Sequence, residues 1–166
     1  MKYKEVMTQE NKELMGKMVG IANAYKDSSE VMATGNMLIK LLAERQNILF
    51  QGKKLEFDRV ILAQIILIAI DIEILLKAIS LADNDNYSKE HDWVKLFSSI
   101  SAAHQQEIKD SMSEPFKTDF DKYLNDNKDA FIRWRYCFED NQLKCDWTFI
   151  HELANVLAGI AMKLAK

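Results

Sequence analysis

The sequence predicts an all-α protein: an up-and-down bundle of four to five main helices with additional short helices. Only five glycines and one proline occur in 166 residues, and the dipeptides Asn-Gly and Asp-Gly are absent. These residues and dipeptides are the usual signals of tight turns and hairpins, so their scarcity disfavours a β-sheet. Apolar residues also recur at helical spacing along much of the chain. The composition, 48% hydrophobic and 28% charged, is that of a globular domain.

The most apolar stretch, residues 60–79, is expected to form the central helix of the bundle. It begins VILAQIILIAI and stays largely apolar without a turn signal. That length exceeds an ordinary strand and is natural for a helix. A membrane span is disfavoured, because Gln64, Asp71 and Glu73 fall within the length that would have to cross the bilayer.

The first half of the chain is expected to add two helices. Residues 32–50 carry apolar side chains at helical spacing and are predicted to run antiparallel to the central helix, through a glycine-containing link at residues 51–54. An amphipathic helix is predicted over residues 14–25. The expected organisation is therefore an N-terminal segment, residues 1–30, packed on a helical domain of residues 31–166.

A polar run and a new apolar pattern mark the middle of the chain. Residues 83–88, DNDNYS, favour a loop because these side chains hydrogen-bond to their own backbone. From Trp93, apolar residues recur at i, i+3, i+4 and i+7. A helix is therefore expected to begin between residues 89 and 93, capped by Ser88 or Asp92.

Three further helices are expected towards the C terminus. One covers residues 102–112, and another covers residues 115–124 with Pro115 in its first turn. The apolar pattern breaks at residues 125–128. The last helix is expected to begin after Asp146, a good N-cap, and it carries a long apolar stripe.

Charged residues interrupt the central helix, where an unpaired charge would cost several kcal/mol. Gln64 and Asp71 are seven residues apart and share one stripe of the helix, whereas Glu73 and Lys77 are four apart and share another. Two interpretations stay open. Glu73 and Lys77 form a surface pair where the helix emerges into solvent, or they belong to a buried network completed by neighbouring segments.

Charge and cysteine content exclude several classes of function. A net charge of −3 argues against a surface devoted to nucleic acid, although it permits a local basic stripe. Cys137 and Cys145 form no C-x-x-C motif, and no apolar leader precedes them, so we expect reduced thiols in the cytoplasm. The three histidines lack metal-binding spacing, and nothing resembles a nucleophile elbow. No metal, cofactor or membrane is expected.

The segment FIRWRYCFE, residues 131–139, allows two interpretations. Its arginines and aromatic rings could stack on bases and pair with phosphates. Alternatively, the aromatic residues share one core-facing side of a helix, and Arg135 pairs with Glu139 one turn later. In that second case Arg133 remains available to a ligand.

Three patterns occur in order: DIEILLKAI at residues 71–79, HDWVKLF at residues 91–97 and FIRWRYCFE at residues 131–139. Together with the long C-terminal helix they resemble HEPN domains, a helical family of nucleotide-binding and RNA-cleaving modules. The corresponding family motifs read roughly E-x-x-L-K-A-L, H-D-L-x-x-L-F and F-x-x-W-R-Y-x-Y-E. The resemblance covers residues 30–166 and implies a bundle of four or five helices that dimerises.

The resemblance also implies a prokaryotic defence, toxin-antitoxin or stress context. Catalytic family members carry R-x(4-6)-H, in which arginine and histidine of two protomers meet to cleave RNA. In this chain no histidine follows Arg133 or Arg135 at that distance, nor does one follow Arg45 or Arg59. Metal-free RNA cleavage therefore lacks its expected general acid or base.

The polar residues of the three motifs are expected to form one cluster, which is either structural or a ligand site. Each would be poorly solvated alone, and each has an opposite-charge partner among the others. The expected members are Glu73, Lys77, His91, Asp92, Arg135 and Glu139, with Arg133 as a further binding candidate.

The function expected from these observations is that of a non-catalytic HEPN-like binding module. It would be a cytoplasmic homodimer whose partner is RNA or another nucleic acid, a nucleotide or a protein. One alternative is a metal-independent ribonuclease with a non-standard constellation drawn from Arg133, His91 and His104. Another is a helical scaffold or antitoxin-like partner without a ligand.

Overall fold

A computed structural model of the chain shows helices connected by turns and short loops. The backbone is described for residues 7–45, 54–135 and 146–165, and the side chains for residues 7–27, 64–133 and 146–165. No strand occurs in these segments, which confirms the all-α prediction. The helices are α1 (Gln9–Arg45), α2 (Lys54–Asn84), α3 (Trp93–Ser98), α4 (Ala102–Ser111), α5 (Phe120–Asn127), α6 (Ala130–Arg135) and α7 (Trp147–Leu164).

The long helices α1 and α2 form an antiparallel pair. At one end of the pair, Asn11 Nδ2 donates hydrogen bonds to the Oδ1 atom of Asp85 at 2.9 Å and to its carbonyl oxygen at 3.3 Å. Along α1, Met15, Val19 and Ala22 recur at helical spacing and are buried. Asn11 therefore connects the start of α1 to the residue that follows α2.

A single helix replaces the two that were predicted over residues 14–25 and 32–50. Helix α1 is continuous through both segments as far as Arg45. The intervening KDSSEV, residues 26–31, contains neither glycine nor proline, so nothing there ends a helix. The predicted link at residues 51–54 lies outside the described residues except for Lys54, which begins α2.

Helix α2 contains the predicted central helix and extends beyond it at both ends. It ends at Asn84, so the loop predicted from residue 83 begins two residues later. Asp85 has a φ of 51°, a left-handed conformation that stops helices and that aspartate tolerates better than most residues. Asn84 Nδ2 then donates to the carbonyl oxygen of Ser99 at 2.8 Å, which fastens the end of α3 to α2.

Helix α3 begins where the sequence predicts it, with Asp92 as its N-cap. The Oδ1 atom of Asp92 accepts hydrogen bonds from the backbone N–H groups of Val94 and Lys95, at 2.8 and 3.1 Å. The N–H of Trp93 donates to the carbonyl oxygen of Lys128 at 2.9 Å. Both ends of the short helix are thus attached to neighbouring elements.

The helix predicted over residues 115–124 begins later than expected. Residues 114–119 form turns, and regular helix starts at Phe120. Within the turns, the carboxylate of Glu114 accepts hydrogen bonds from the backbone N–H and the hydroxyl of Thr118. This side chain supplies the acceptor that closes the turn, so Pro115 precedes the helix instead of starting it.

The break predicted at residues 125–128 is also wrong, since α5 continues through Asn127. The buried side chain of Asn127 donates to the carbonyl oxygen of Tyr123 at 2.9 Å and accepts from the N–H of Asp146 at 3.2 Å. These bonds hold a helix-disfavouring residue within α5. The chain turns at residues 128–129 instead.

Helix α7 completes the core and begins at its predicted N-cap. Asp146 Oδ1 accepts from the N–H of Phe149 at 3.0 Å. The ring of Phe149 lies among those of Phe116, Phe120 and Tyr123, with centroid separations of 5.6, 5.9 and 5.4 Å. Among the helices described here, none is long and apolar enough to cross a bilayer.

Candidate functional site

Glu73 lies at the centre of a polar cluster on α2. Its Oε1 atom accepts a hydrogen bond from Lys77 Nζ at 2.7 Å. The Nδ1 atom of His91 lies 2.9 Å from Oε1 and 3.0 Å from Oε2 of the same carboxylate. Three residues of the predicted cluster, from two of the three motifs, therefore meet at one carboxylate.

Exposure decides between the two interpretations of the Glu73 and Lys77 pair. The side chain of Glu73 is 10% exposed and that of Lys77 is 12% exposed, whereas that of His91 is 51% exposed. A solvated surface pair would be far more open, so the pair belongs to a mostly buried network. Its outermost member is the imidazole of His91.

Two local features of the sequence build this cluster. Glu73 precedes Lys77 by one helical turn, the favourable order for a pair on a helix. His91 directly precedes Asp92, whose capping bonds fix the start of α3 and the chain just before it. The loop between α2 and α3 thus places the imidazole of His91 next to the carboxylate of Glu73.

The carboxylate determines which nitrogen of His91 carries the proton. An ionised carboxylate only accepts hydrogen bonds, so Nδ1 must be the donor to Glu73. Neutral imidazole then has an unprotonated Nε2, which no described residue engages. That atom can accept a hydrogen bond from a ligand, and it becomes a donor when the ring is protonated.

An aromatic ring lies beside this imidazole. The ring centroids of His91 and Phe131 are 6.2 Å apart with an interplanar angle of 42°. Phe131 lies on α6, whose preceding turn is joined to α3 by the bond from Trp93 to Lys128. Helix α6 is therefore held beside the half-exposed histidine.

Of the remaining predicted site residues, two have other described contacts and two have side chains outside the described residues. Asp92 caps α3, and its Oδ1 atom is occupied by backbone N–H groups. On α6, Arg133 Nη1 lies 3.9 Å from Oδ1 of Asp129 in the preceding turn. It follows Phe131 by two residues, which turns it about 200° around the helix and away from the Phe131 side. The side chains of Arg135 and Glu139 lie outside the described residues.

A second carboxylate–histidine pair joins the end of α2 to the start of α4, and the sequence patterns did not predict it. Asp83 Oδ1 lies 2.8 Å from His104 Nδ1, while Asp83 Oδ2 accepts from the N–H of Ser101 at 2.8 Å. The Oγ atom of Ser101 is 3.3 Å from the same Nδ1. A catalytic triad needs the hydroxyl at Nε2 instead, so this arrangement fastens a helix corner.

In the sequence, the local feature related to the pair of Asp83 and His104 is the three-residue spacing of Ser101 and His104, which is typical of a helix N-cap. Ser101 caps α4 and accepts from the N–H of His104. Asp83 lies 21 residues before His104, and no helical or turn pattern connects them. No three His, Cys, Asp or Glu side chains in the described part of the chain gather as metal ligands would.

Asp71 is a further acidic residue within the apolar helix α2. It is fully buried, and neither of its carboxylate oxygens has a hydrogen-bond partner among the residues that the structure describes. Burial raises the pKa of Asp71 from 3.8 to about 7; nearby Lys26 lowers it and Asp27 raises it. Gln64, on the same stripe, is buried as well.

Comparison of the chain with protein-family models, curated proteins and solved structures gave no match. The resemblance to HEPN domains therefore rests on the three sequence motifs. The cluster of Glu73, Lys77 and His91 connects two of these motifs directly.

Proposed function

We propose that the chain is a non-catalytic, HEPN-like binding module for a nucleotide or single-stranded RNA, acting as a cytoplasmic homodimer in a prokaryotic defence, toxin-antitoxin or stress context. The observation that carries the binding proposal is the contact between Glu73 and His91. A mostly buried carboxylate orients a half-exposed imidazole, and no contact of its Nε2 atom is seen within the described residues.

The charges of the cluster favour a phosphate group. The ammonium group of Lys77 compensates the carboxylate of Glu73 at 2.7 Å. Protonation of His91 therefore leaves the three residues with a net positive charge, and the ring then donates a hydrogen bond through Nε2. A phosphate oxygen is a suitable acceptor, and hydrogen bonds between charged groups are the stronger ones.

The ring of Phe131 is an argument for a ligand that carries a nucleoside next to the phosphate. Single-stranded nucleic acids are commonly held by stacking bases on aromatic side chains beside positively charged groups. Phe131 lies beside His91 and is partly exposed. Nucleotides and RNA share this chemistry, and a binding experiment separates the two.

The same geometry gives less support to catalysis. Hydrolysis of RNA without a metal requires a general base and a general acid. In the described residues, His91 contacts the carboxylate of Glu73 and the ring of Phe131. Neither of these groups is a second proton donor that could act together with Nε2. The described ion pair of Arg133 is with Asp129, at 3.9 Å.

Fluorescence anisotropy tests the binding proposal. Labelled ten-nucleotide single-stranded RNA and a labelled adenosine nucleotide are titrated with the wild-type protein and with His91→Ala. We expect the substitution to weaken binding at least tenfold, whereas His151→Ala, which alters a histidine on α7 next to Trp147, should leave it unchanged. Equal affinities of wild type and His91→Ala, or no binding of either probe, would contradict the proposal.

A second candidate is the metal-independent ribonuclease. It is favoured by one observation, a histidine that a carboxylate orients through Nδ1, because general bases are often held in this way. Pure protein would then degrade RNA in the presence of EDTA, and His91→Ala would abolish the activity while His151→Ala retained it. RNA left intact by the wild type removes this candidate.

A further inference from the structure

The register of α1 against α2 places Asp71 opposite the segment that contains Lys26. The two helices are antiparallel and are joined where Asn11 bonds Asp85. Fourteen residues separate Asp85 from Asp71, and fourteen separate Asn11 from Tyr25. Because helices rise equally per residue, Asp71 lies level with Tyr25, next to Lys26 and Asp27.

Among the described side chains, none gives Asp71 a hydrogen bond. Its neighbours one turn away on α2, Ile68 and Leu75, are buried apolar residues. Both carboxylate oxygens are unbonded within the described part of the chain. An ionised carboxylate in such a place is strongly disfavoured, whereas the neutral acid costs much less.

The charged groups that act on Asp71 belong to α1. Lys26 and Asp27 have the strongest influence on it after burial itself, and neither bonds it. Helices α3, α6 and α7 also pack against α2. Within the described residues, their charged and titratable side chains have other contacts. These contacts are Lys95 with Glu90, Arg133 with Asp129, Glu152 with Ser113, Lys163 with Glu107, and His151 with Trp147 and Asn155.

We propose that α1 docks on α2 through a proton-dependent contact, in which protonated Asp71 permits tight packing and ionised Asp71 loosens the N-terminal helix. This proton-dependent contact needs no ligand and does not depend on the proposed binding function. It makes the packing of residues 9–27 responsive to pH in the neutral range.

The direction of the effect follows from the two protonation equilibria. The pKa of Asp71 is about 7 when α1 is docked and near 3.8 when the carboxyl is exposed. Docking is therefore strongest below the lower value and weakens as the pH rises through the higher one. Between pH 5 and pH 7 this linkage increases the fraction with α1 undocked by roughly 50-fold.

Hydrogen–deuterium exchange tests the proposal, with rates corrected for the intrinsic effect of pH. In the wild type, amides of residues 9–27 should lose protection from pH 5 to pH 7 and then level off, and their opening free energy should stay below that of residues 153–161 in α7 at each pH. In Asp71→Asn, protection of α1 should stay nearly constant. An unchanged pH profile in Asp71→Asn, or equal opening free energies for residues 9–27 and for α7 at every pH, would overturn the proposal.

Two substitutions near the surface keep the test decisive if Asp71→Asn folds poorly. Lys26 lowers the pKa of Asp71 and Asp27 raises it. Lys26→Gln should therefore move the pH at which protection levels off upwards, and Asp27→Asn should move it downwards. Shifts in the reverse directions, or none in either variant, would contradict the role assigned to Asp71.

Discussion

The Nδ1 atom of His91 lies 2.9 and 3.0 Å from the two carboxylate oxygens of Glu73, a residue 18 positions earlier in the chain. This contact joins the loop before α3 to the most apolar helix of the protein. It explains why an acidic residue is tolerated there, since Lys77 and His91 together compensate it. The imidazole itself stays half-exposed.

Removing the carboxylate of Glu73 should destabilise the fold. Glu73→Ala leaves Lys77, which is only 12% exposed, without its partner. We expect a loss of about 2–3 kcal/mol in the free energy of unfolding. Urea denaturation measures it. Glu90→Ala breaks the open pair with Lys95 and serves as the control, with a loss below about 0.5 kcal/mol. Equal losses in both variants would contradict a buried network.

Loss of the α3 cap should have a smaller effect. Asp92→Ala removes two hydrogen bonds to backbone N–H groups and should cost about 1 kcal/mol. Asp92→Asn keeps an acceptor oxygen and should cost much less. Thermal unfolding of the three proteins at one pH measures the difference. A cost for Asp92→Asn as large as that for Asp92→Ala would point to a role for the charge in the cluster.

Asp83 and His104 should be energetically coupled. Their atoms are 2.8 Å apart, and both side chains are largely buried. In a double-mutant cycle with Asp83→Asn and His104→Ala, we expect a coupling energy of about 1 kcal/mol. Unfolding of the wild type, both single variants and the double variant provides the four values. Additive effects would show that the pair does not hold the corner between α2 and α4.

Global stability should depend on the protonation of Asp71. Its pKa is raised by burial to about 7, so the folded state binds a proton that the unfolded state has released. The free energy of unfolding should therefore receive a contribution that falls by about 2–3 kcal/mol from pH 5 to pH 8. Chemical denaturation of the wild type and Asp71→Asn across this range isolates it. A difference between the two proteins that does not vary with pH would contradict the assignment.

Features that depend on residues close together in the sequence were predicted correctly. The pairing of Glu73 with Lys77 follows from one helical turn, and the caps at Asp92 and Asp146 follow from residue type and position. The approach of His91 to Glu73 was predicted because both residues needed a partner and lay in adjacent motifs.

Contacts that depend on tertiary register could not be predicted in the same way. The isolation of Asp71 depends on which residues of α1 lie opposite it, and that in turn depends on the continuity of α1. The pairing of Asp83 with His104 depends on the corner formed by α3. The start of α5 depends on how the side chain of Glu114 closes the preceding turn.

A nuclear magnetic resonance titration that follows the imidazole nitrogens of His91 while short single-stranded RNA is added tests directly whether this histidine binds the ligand. We expect Nδ1 to carry the proton in the neutral ring, and the Nε2 signal of His91 to shift saturably while that of His151 does not. A neutral ring protonated at Nε2, or a His91 signal that RNA and nucleotide leave unchanged, would contradict this expectation.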